Sequence, residues 1–356
     1  MADIWYLILA GMLTGFAILA GWDFGAGALH GWVARDPREK RAVIRAIGPL
    51  WTWNEVWLIA SGGTLLCAFP AALGAAFSGF YLAMHVVLWC LLLRGLALEF
   101  RSHLADGMWQ GFWDAVFPVA NLLLALLFST AFGALVRGLP LRADPGALDG
   151  SCDMPLFTTF TPYGQVGVLD WYTVAVGLLG VLLLLAHGAA FLHLRADGAV
   201  RARARTLTRR LWPVVAIALA GVTVATFAVR PDLGAALARP LCWLAALAVA
   251  AGATAIIVAT WLGKDRPALA LAGSSLVIAG LLGGAFAAIH PELIHSTLSP
   301  GATLTIATSA TPDHGLALAL MWWPFAAILS VAVYALNRRW HAQADTLDLP
   351  VSGAAD

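Results

Sequence analysis

The feature that most constrains this chain is a succession of long apolar runs. Nine stretches of roughly bilayer-crossing length, about 20 residues each, follow one another at 4–22, 53–69, 75–98, 115–136, 166–194, 211–229, 241–262, 268–289 and 315–336. In hydrocarbon, backbone polar groups must be satisfied within a helix or around a closed barrel. The runs lack the period-two alternation of a barrel strand. The expected fold is therefore all-α, a polytopic membrane helical bundle of about nine transmembrane helices. The second and third runs are separated only by Pro70-Ala71-Ala72-Leu73-Gly74 and are expected to form a tight helical hairpin.

Composition agrees. The 356 residues are 61% hydrophobic and 12% charged, against about 25% charged in soluble domains. The formal net charge of +1 gives no support to a nucleic-acid partner. Cys67, Cys90, Cys152 and Cys242 form neither a CxxC pair nor a zinc spacing. No basic n-region precedes the first apolar run, so no cleavable signal is expected.

Positive charge orients the bundle. Of the 21 basic residues, all but Arg137, Arg142, Arg230 and Arg239 fall in alternate connections or at the C-terminus. This bias predicts the N-terminus outside and the C-terminus inside, which requires an odd number of spans. No connection is long enough for a soluble domain. Residues 1–341 are expected to form a single transmembrane domain, with 342–356 as a flexible C-terminal tail.

Several polar residues stand where lipid would penalise them. Gly21–Gly27 surrounds Asp23 with glycines, suggesting close helix approach; the plainer reading is that Asp23 ends the span or caps the next turn. Gly48–Pro70 opens with Trp51, Trp53 and Trp57, which an interfacial aromatic belt explains. The belt does not explain Asn54 and Glu55. Glu99 is positioned to pair with Arg94 or Arg101, and Asp114 reads as an acid in the first turn of a helix. Among histidines, His85, His187 and His193 are the intramembrane candidates. His187 and His193 are six residues apart, on divergent faces, and His85 and His187 differ in depth. A haem site is therefore a poor fit, and a buried histidine bonded to a neighbouring helix is the commoner arrangement. No P-loop, dinucleotide fingerprint or HExxH motif is present.

Taken in order, these landmarks resemble subunit II of the cytochrome bd-type quinol oxidases. The match carries through Gly21–Gly27, Pro49–Leu58 with Gly62-Gly63 and Phe69-Pro70, Ala76–Tyr81, Leu98–Arg101, Trp113-Asp114 and His187–Ala189. The second half matches mainly in hydropathy.

The resemblance implies an electrogenic quinol:oxygen oxidoreductase complex of the bacterial cytoplasmic membrane. This chain would bind no haem or metal and carry no catalytic residue of its own. Haem b and haem d would lie in partner subunit I, with room for a small single-span subunit and for a structural quinone or lipid. It also implies a role in shaping proton and oxygen access. The proton-path candidates are Glu55, Asn54, Asp23, Thr52 and Glu99. Trp57, Trp53 and Trp51 are candidates for an oxygen path or subunit contact, and His187 and His85 for buried polar roles. Two positions depart from the family pattern. Ala20 and Thr52 stand where acids are common, and Glu55 is the nearby carboxylate able to compensate. The alternatives are a purely structural partner subunit and a stand-alone membrane transporter. A transporter would need a polar midplane site or matched broken helices, which the sequence does not display.

Overall fold

The computed structural model describes residues 1–104, 106–142, 151–152, 154–158, 160–161, 166–262 and 265–325, with isolated positions 328, 331, 332 and 335. The chain divides into two units, Ala2–Ala310 and a smaller one of Met1 with the residues from Thr311 onward. Within the smaller unit, 313–325 are helical. The ninth apolar run lies partly outside the described residues, and the expected tail lies wholly outside them.

The larger unit is helical with two small hairpins. Its elements are α1 (Ala2–Ala28), α2 (His30–Val33), α3 (Pro37–Ile47), α4 (Trp51–Ala68), α5 (Pro70–Gly79), α6 (Tyr81–Phe100) and α7 (Gly107–Arg137). After β1 (Leu141–Arg142) and β2 (Ser151–Cys152) come α8 (Trp171–Arg195), α9 (Gly198–Val229), α10 (Leu233–Ala236), α11 (Pro240–Thr260) and α12 (Pro267–Ile289). The antiparallel pair β3 (Glu292–Ile294) and β4 (Leu304–Thr305) precedes α13 (Ile306–Ser309).

Seven helices are long and apolar enough to cross a membrane: α1, α6, α7, α8, α9, α11 and α12. Helices α4 and α5 qualify only as a pair and bend by 120° at their junction. The described residues thus supply seven spans, or eight with the bent pair counted as one, where nine were expected. The expected hairpin is also different in form. Pro70 has no N–H to continue α4, but it suits the first turn of a new helix. The chain therefore turns into α5, and the third apolar run begins its helix at Tyr81 rather than at residue 75.

The connections at the basic end are more ordered than apolar runs reveal. Asp36 caps α3, its Oδ1 accepting from the Arg38 and Glu39 backbone N–H groups at 2.8 and 2.9 Å. Glu39 accepts from the Arg35 N–H and is bridged by both Arg203 guanidinium nitrogens. These bonds hold the Glu39 carboxyl down at about 2. Most of the Arg-rich connection before the sixth run is not a loop. It forms the first turns of α9, because Ala and Arg are strong helix formers. Val33, Val43, Ile47, Leu98, Trp113, Phe191 and Val200 share one core beneath this end.

At the centre, α1 packs on α4, α7, α8 and α12. Its closest approach is to α8. A Cβ on Gly25 would lie 1.9 Å from the Leu184 carbonyl oxygen, and one on Gly188 would lie 2.2 Å from the Ala26 nitrogen. The two backbones meet at these glycines, as small-residue helix interfaces allow.

Candidate functional site

Asp23 does not end α1. The helix continues to Ala28, and the carboxylate is fully buried. Facing it, α4 contributes Asn54 and Glu55, and α6 contributes Arg94. Asn54 Nδ2 donates to Asp23 Oδ2 at 2.7 Å and to the Leu19 carbonyl at 3.0 Å. Arg94 donates through Nη2 to Asp23 Oδ2 at 3.1 Å and through Nη1 to Glu55 Oε1 at 2.6 Å. Its guanidinium lies 5.0 Å from the Phe24 ring centroid and 5.8 Å from that of Trp51. Arg94 is 0% exposed, whereas the Glu55 side chain retains 24% exposure. The cluster therefore runs from a carboxylate at the surface of the chain to one fully enclosed within it. Two carboxylates share one guanidinium, leaving a formal charge of −1 when both are ionised.

The other expected site residues distribute as follows. Thr52 is exposed and makes no hydrogen bond with the cluster. Trp51 stacks over Arg94 and lies against Gly95. Trp53 is half-buried. Trp57, 39% exposed, packs its ring on Gly15 of α1. Glu99 is exposed, and neither arginine reaches it. Arg94 is taken by Asp23 and Glu55, and Arg101 by Asp114, so the ion pair expected for Glu99 is replaced by these.

His187 is buried between helices. Its Nδ1 lies 2.6 Å from Ser274 Oγ on α12, and its Nε2 lies 3.0 Å from the Ile18 carbonyl on α1. Both ring nitrogens are thus engaged by protein, the arrangement expected of a helix-bridging histidine. His85 is exposed and bonds the Tyr81 carbonyl one turn back. Among the described residues, no group of three or more His, Cys, Asp or Glu side chains is placed to hold a metal ion.

Sequence reasoning missed a second cluster. Asp114 is two turns inside α7, not in its first turn. It accepts from Arg101 Nε at 2.5 Å and Lys40 Nζ at 3.0 Å, and lies 3.8 Å from His30 Nε2. His30 is fully buried, and burial lowers its pKa to about 4 against the pull of Asp114. One turn deeper than Phe117, the fully buried Asn121 fills the notch left by Gly27. The available signal was the presence of Arg94 and Asn121 inside apolar runs, where polar side chains are costly.

At the other end of the bundle, a cavity of about 520 Å³ is lined by Arg137, Trp171, Arg230 and His295 among others. Its arginines already face carboxylates, Arg137 on Asp170 and Arg230 on Asp232 and Glu292.

The fold and the cluster define a multi-pass helical membrane protein with a buried three-helix ion network near its basic end. Its family follows from comparison: the model described as cytochrome bd terminal oxidase subunit II matches residues 1–338, and the chain belongs to that family. The cytochrome bd-I ubiquinol oxidase subunit 2 of Escherichia coli (strain K12) is 30% identical over 95% of this chain and 92% of its own length. The cytochrome bd ubiquinol oxidase subunit 2 of Bacillus subtilis (strain 168) is 29% identical over 88% of each. A chain of the bd oxidase from Geobacillus thermodenitrificans shares the fold with a TM-score of 0.70 at 21% identity, covering 95% of this chain and 98% of that one.

Proposed function

We propose that this chain is the haem-free subunit II of a bd-type terminal quinol oxidase. Paired with a haem-bearing subunit I in the bacterial cytoplasmic membrane, it supports the complex that oxidises quinol and reduces oxygen to water. Its N-terminus faces outside, so its basic end faces the compartment from which a charge-separating oxidase draws protons. Family membership and the charge bias of the connections support this reading.

The observation that carries a proton role is the Glu55–Arg94–Asp23–Asn54 cluster. Glu55, at the surface of the chain near its basic end, takes the proton that an acid at the position of Thr52 would otherwise accept. Arg94 links it to Asp23, and the surplus carboxylate gives a travelling proton a place to reside. Asn54 fixes the Asp23 side chain. Trp57 and the exposed apolar face of α6, including Tyr81, Leu82 and Trp89, offer a surface to subunit I and a low-polarity route for oxygen.

In the assembled complex, Glu55→Gln should slow oxygen consumption while leaving haem content unchanged. Full activity in that variant removes Glu55 from the path. A scaffold role is the second reading, because Arg94 also ties three helices together. Under it, the same variant lowers the yield of complex but not its turnover per haem.

A further inference from the structure

We propose that ordered water in the seam between α1 and α7 forms a second proton branch, leading from Asp114 through His30 and Asn121 to Asp23. The branch rests on the proton-handling role above and adds an entry separate from Glu55.

The seam is built from matched spacings. Asp23, Gly27 and His30 fall within about 60° of one another around α1 and its short continuation α2, and Asp114, Phe117 and Asn121 do so around α7. The stripes run antiparallel and face each other. His30 meets Asp114 at 3.8 Å and Phe117 edge-on at 5.6 Å, and Asn121 presses against Gly27, one turn from Asp23. A polar side chain therefore recurs every second turn on both helices, through a region otherwise lined with apolar residues.

Hydrogen bonding in this seam is incomplete. Asp23 Oδ1 and Asn121 Oδ1 are buried and make no hydrogen bond, and the buried His30 ring nitrogens have only a contact with the Lys40 backbone and the 3.8 Å approach to Asp114. Asn121 spends one of its two amide N–H groups on the Phe117 carbonyl, and Asp23 spends Oδ2 on Asn54 and Arg94. The groups left over are acceptors on Asp23 and Asn121, the second amide N–H of Asn121, and the His30 ring nitrogen that the Lys40 backbone does not engage. Water, which donates twice and accepts twice, complements this set, and buried water characteristically occupies such sites.

The route has an open end. The Asp114 side chain keeps 10% exposure beside Lys40, at 27%. Lys40, Arg101 and Asp114 are the charged groups facing His30, and burial keeps the imidazole neutral at pH 7. A neutral imidazole can take a proton on one nitrogen and release one from the other. No net charge then remains in the seam, and the ring is left in its opposite tautomer.

Two measurements test the branch. A structure of the assembled complex at a resolution that shows water should hold ordered water between Asp23, Asn121 and His30; a dry seam overturns the proposal. In the Glu55→Gln background, Asn121→Leu should reduce turnover per haem by a further tenfold or so, a modest fraction of what positioned proton transfer contributes. Asn121→Ser, which retains a hydroxyl for water, should recover much of it. Equal rates for the leucine and serine variants also overturn the branch and leave Asn121 with a packing role. The underlying proton role fails separately, through Asp23→Asn, since both branches end there. Full turnover in that variant refutes proton handling even if the seam is wet.

Discussion

At the scale of single residues, Arg94 is the group on which most depends. It is completely buried and holds two carboxylates from two other helices. Removing one partner of a buried ion pair commonly costs about 3–5 kcal/mol, because the remaining charge is left uncompensated. Arg94→Gln should therefore lower the melting temperature of the detergent-purified complex, or prevent its assembly. Arg94→Lys should fall between, since an ammonium cannot reproduce the planar fork that reaches Asp23 and Glu55 together. His30 makes a different prediction. Its folded pKa of about 4 lies below the usual 6.5, so the unfolded chain binds the proton more readily. The native state is therefore favoured above about pH 6.5, and that advantage is lost as pH falls towards 4, by about 3 kcal/mol at most. Thermal melts across this window should flatten in His30→Gln; an unchanged slope would show that His30 is not the group responsible. Glu55 was legible in the sequence as a charge that the aromatic belt leaves unexplained, whereas Asp23 read more plainly as a span end or cap. Their shared partner was not legible: Arg94 stands five residues from Glu99 and 39 from Glu55, and only the packing of α6 beside α1 and α4 decides between them.

At the scale of elements, the glycines of α1 and α8 set how the helices meet. Gly25→Ala or Gly188→Ala places a methyl inside the opposing backbone, so either should lower thermal stability and complex yield. Gly11→Ala on the same helix has nothing within 4 Å and serves as the matched control, neutral or slightly stabilising. Equal effects at Gly11 and Gly25 would show that helix propensity, not close approach, governs this contact. The apolar periods of α1, α7, α8, α11 and α12 were readable because length and composition suffice for a span. The bend at Phe69-Pro70 was readable only as a boundary. Nothing local told whether the next residues would form a loop or the ten-residue α5. The basic start of α9 was hidden for a related reason: charge breaks a hydropathy run without breaking a helix. Asp114 was misread because α7 begins at Gly107, two turns before its apolar stretch.

At the scale of the whole molecule, the charge bias predicts which end meets which compartment. With the native cysteines replaced, Gly301→Cys should react with a membrane-impermeant thiol reagent in intact cells, and Arg38→Cys only after the cells are opened. Both positions are exposed in the fold. The reverse pattern would invert the proposed topology and move the Glu55 entrance to the wrong side. The meeting of α1 and α8 has a consequence for how the protein tolerates different lipids. Helices answer a change in hydrocarbon thickness by tilting. Where two backbones interlock at Gly25 and Gly188, neither helix can tilt without the other. Helices α11 and α12 are interlocked in the same way, the backbones meeting at Gly252, Gly273 and Gly280. A thicker or thinner bilayer is therefore met by pairs of helices tilting together, and Asp23 changes depth only as far as α1 and α8 tilt as one.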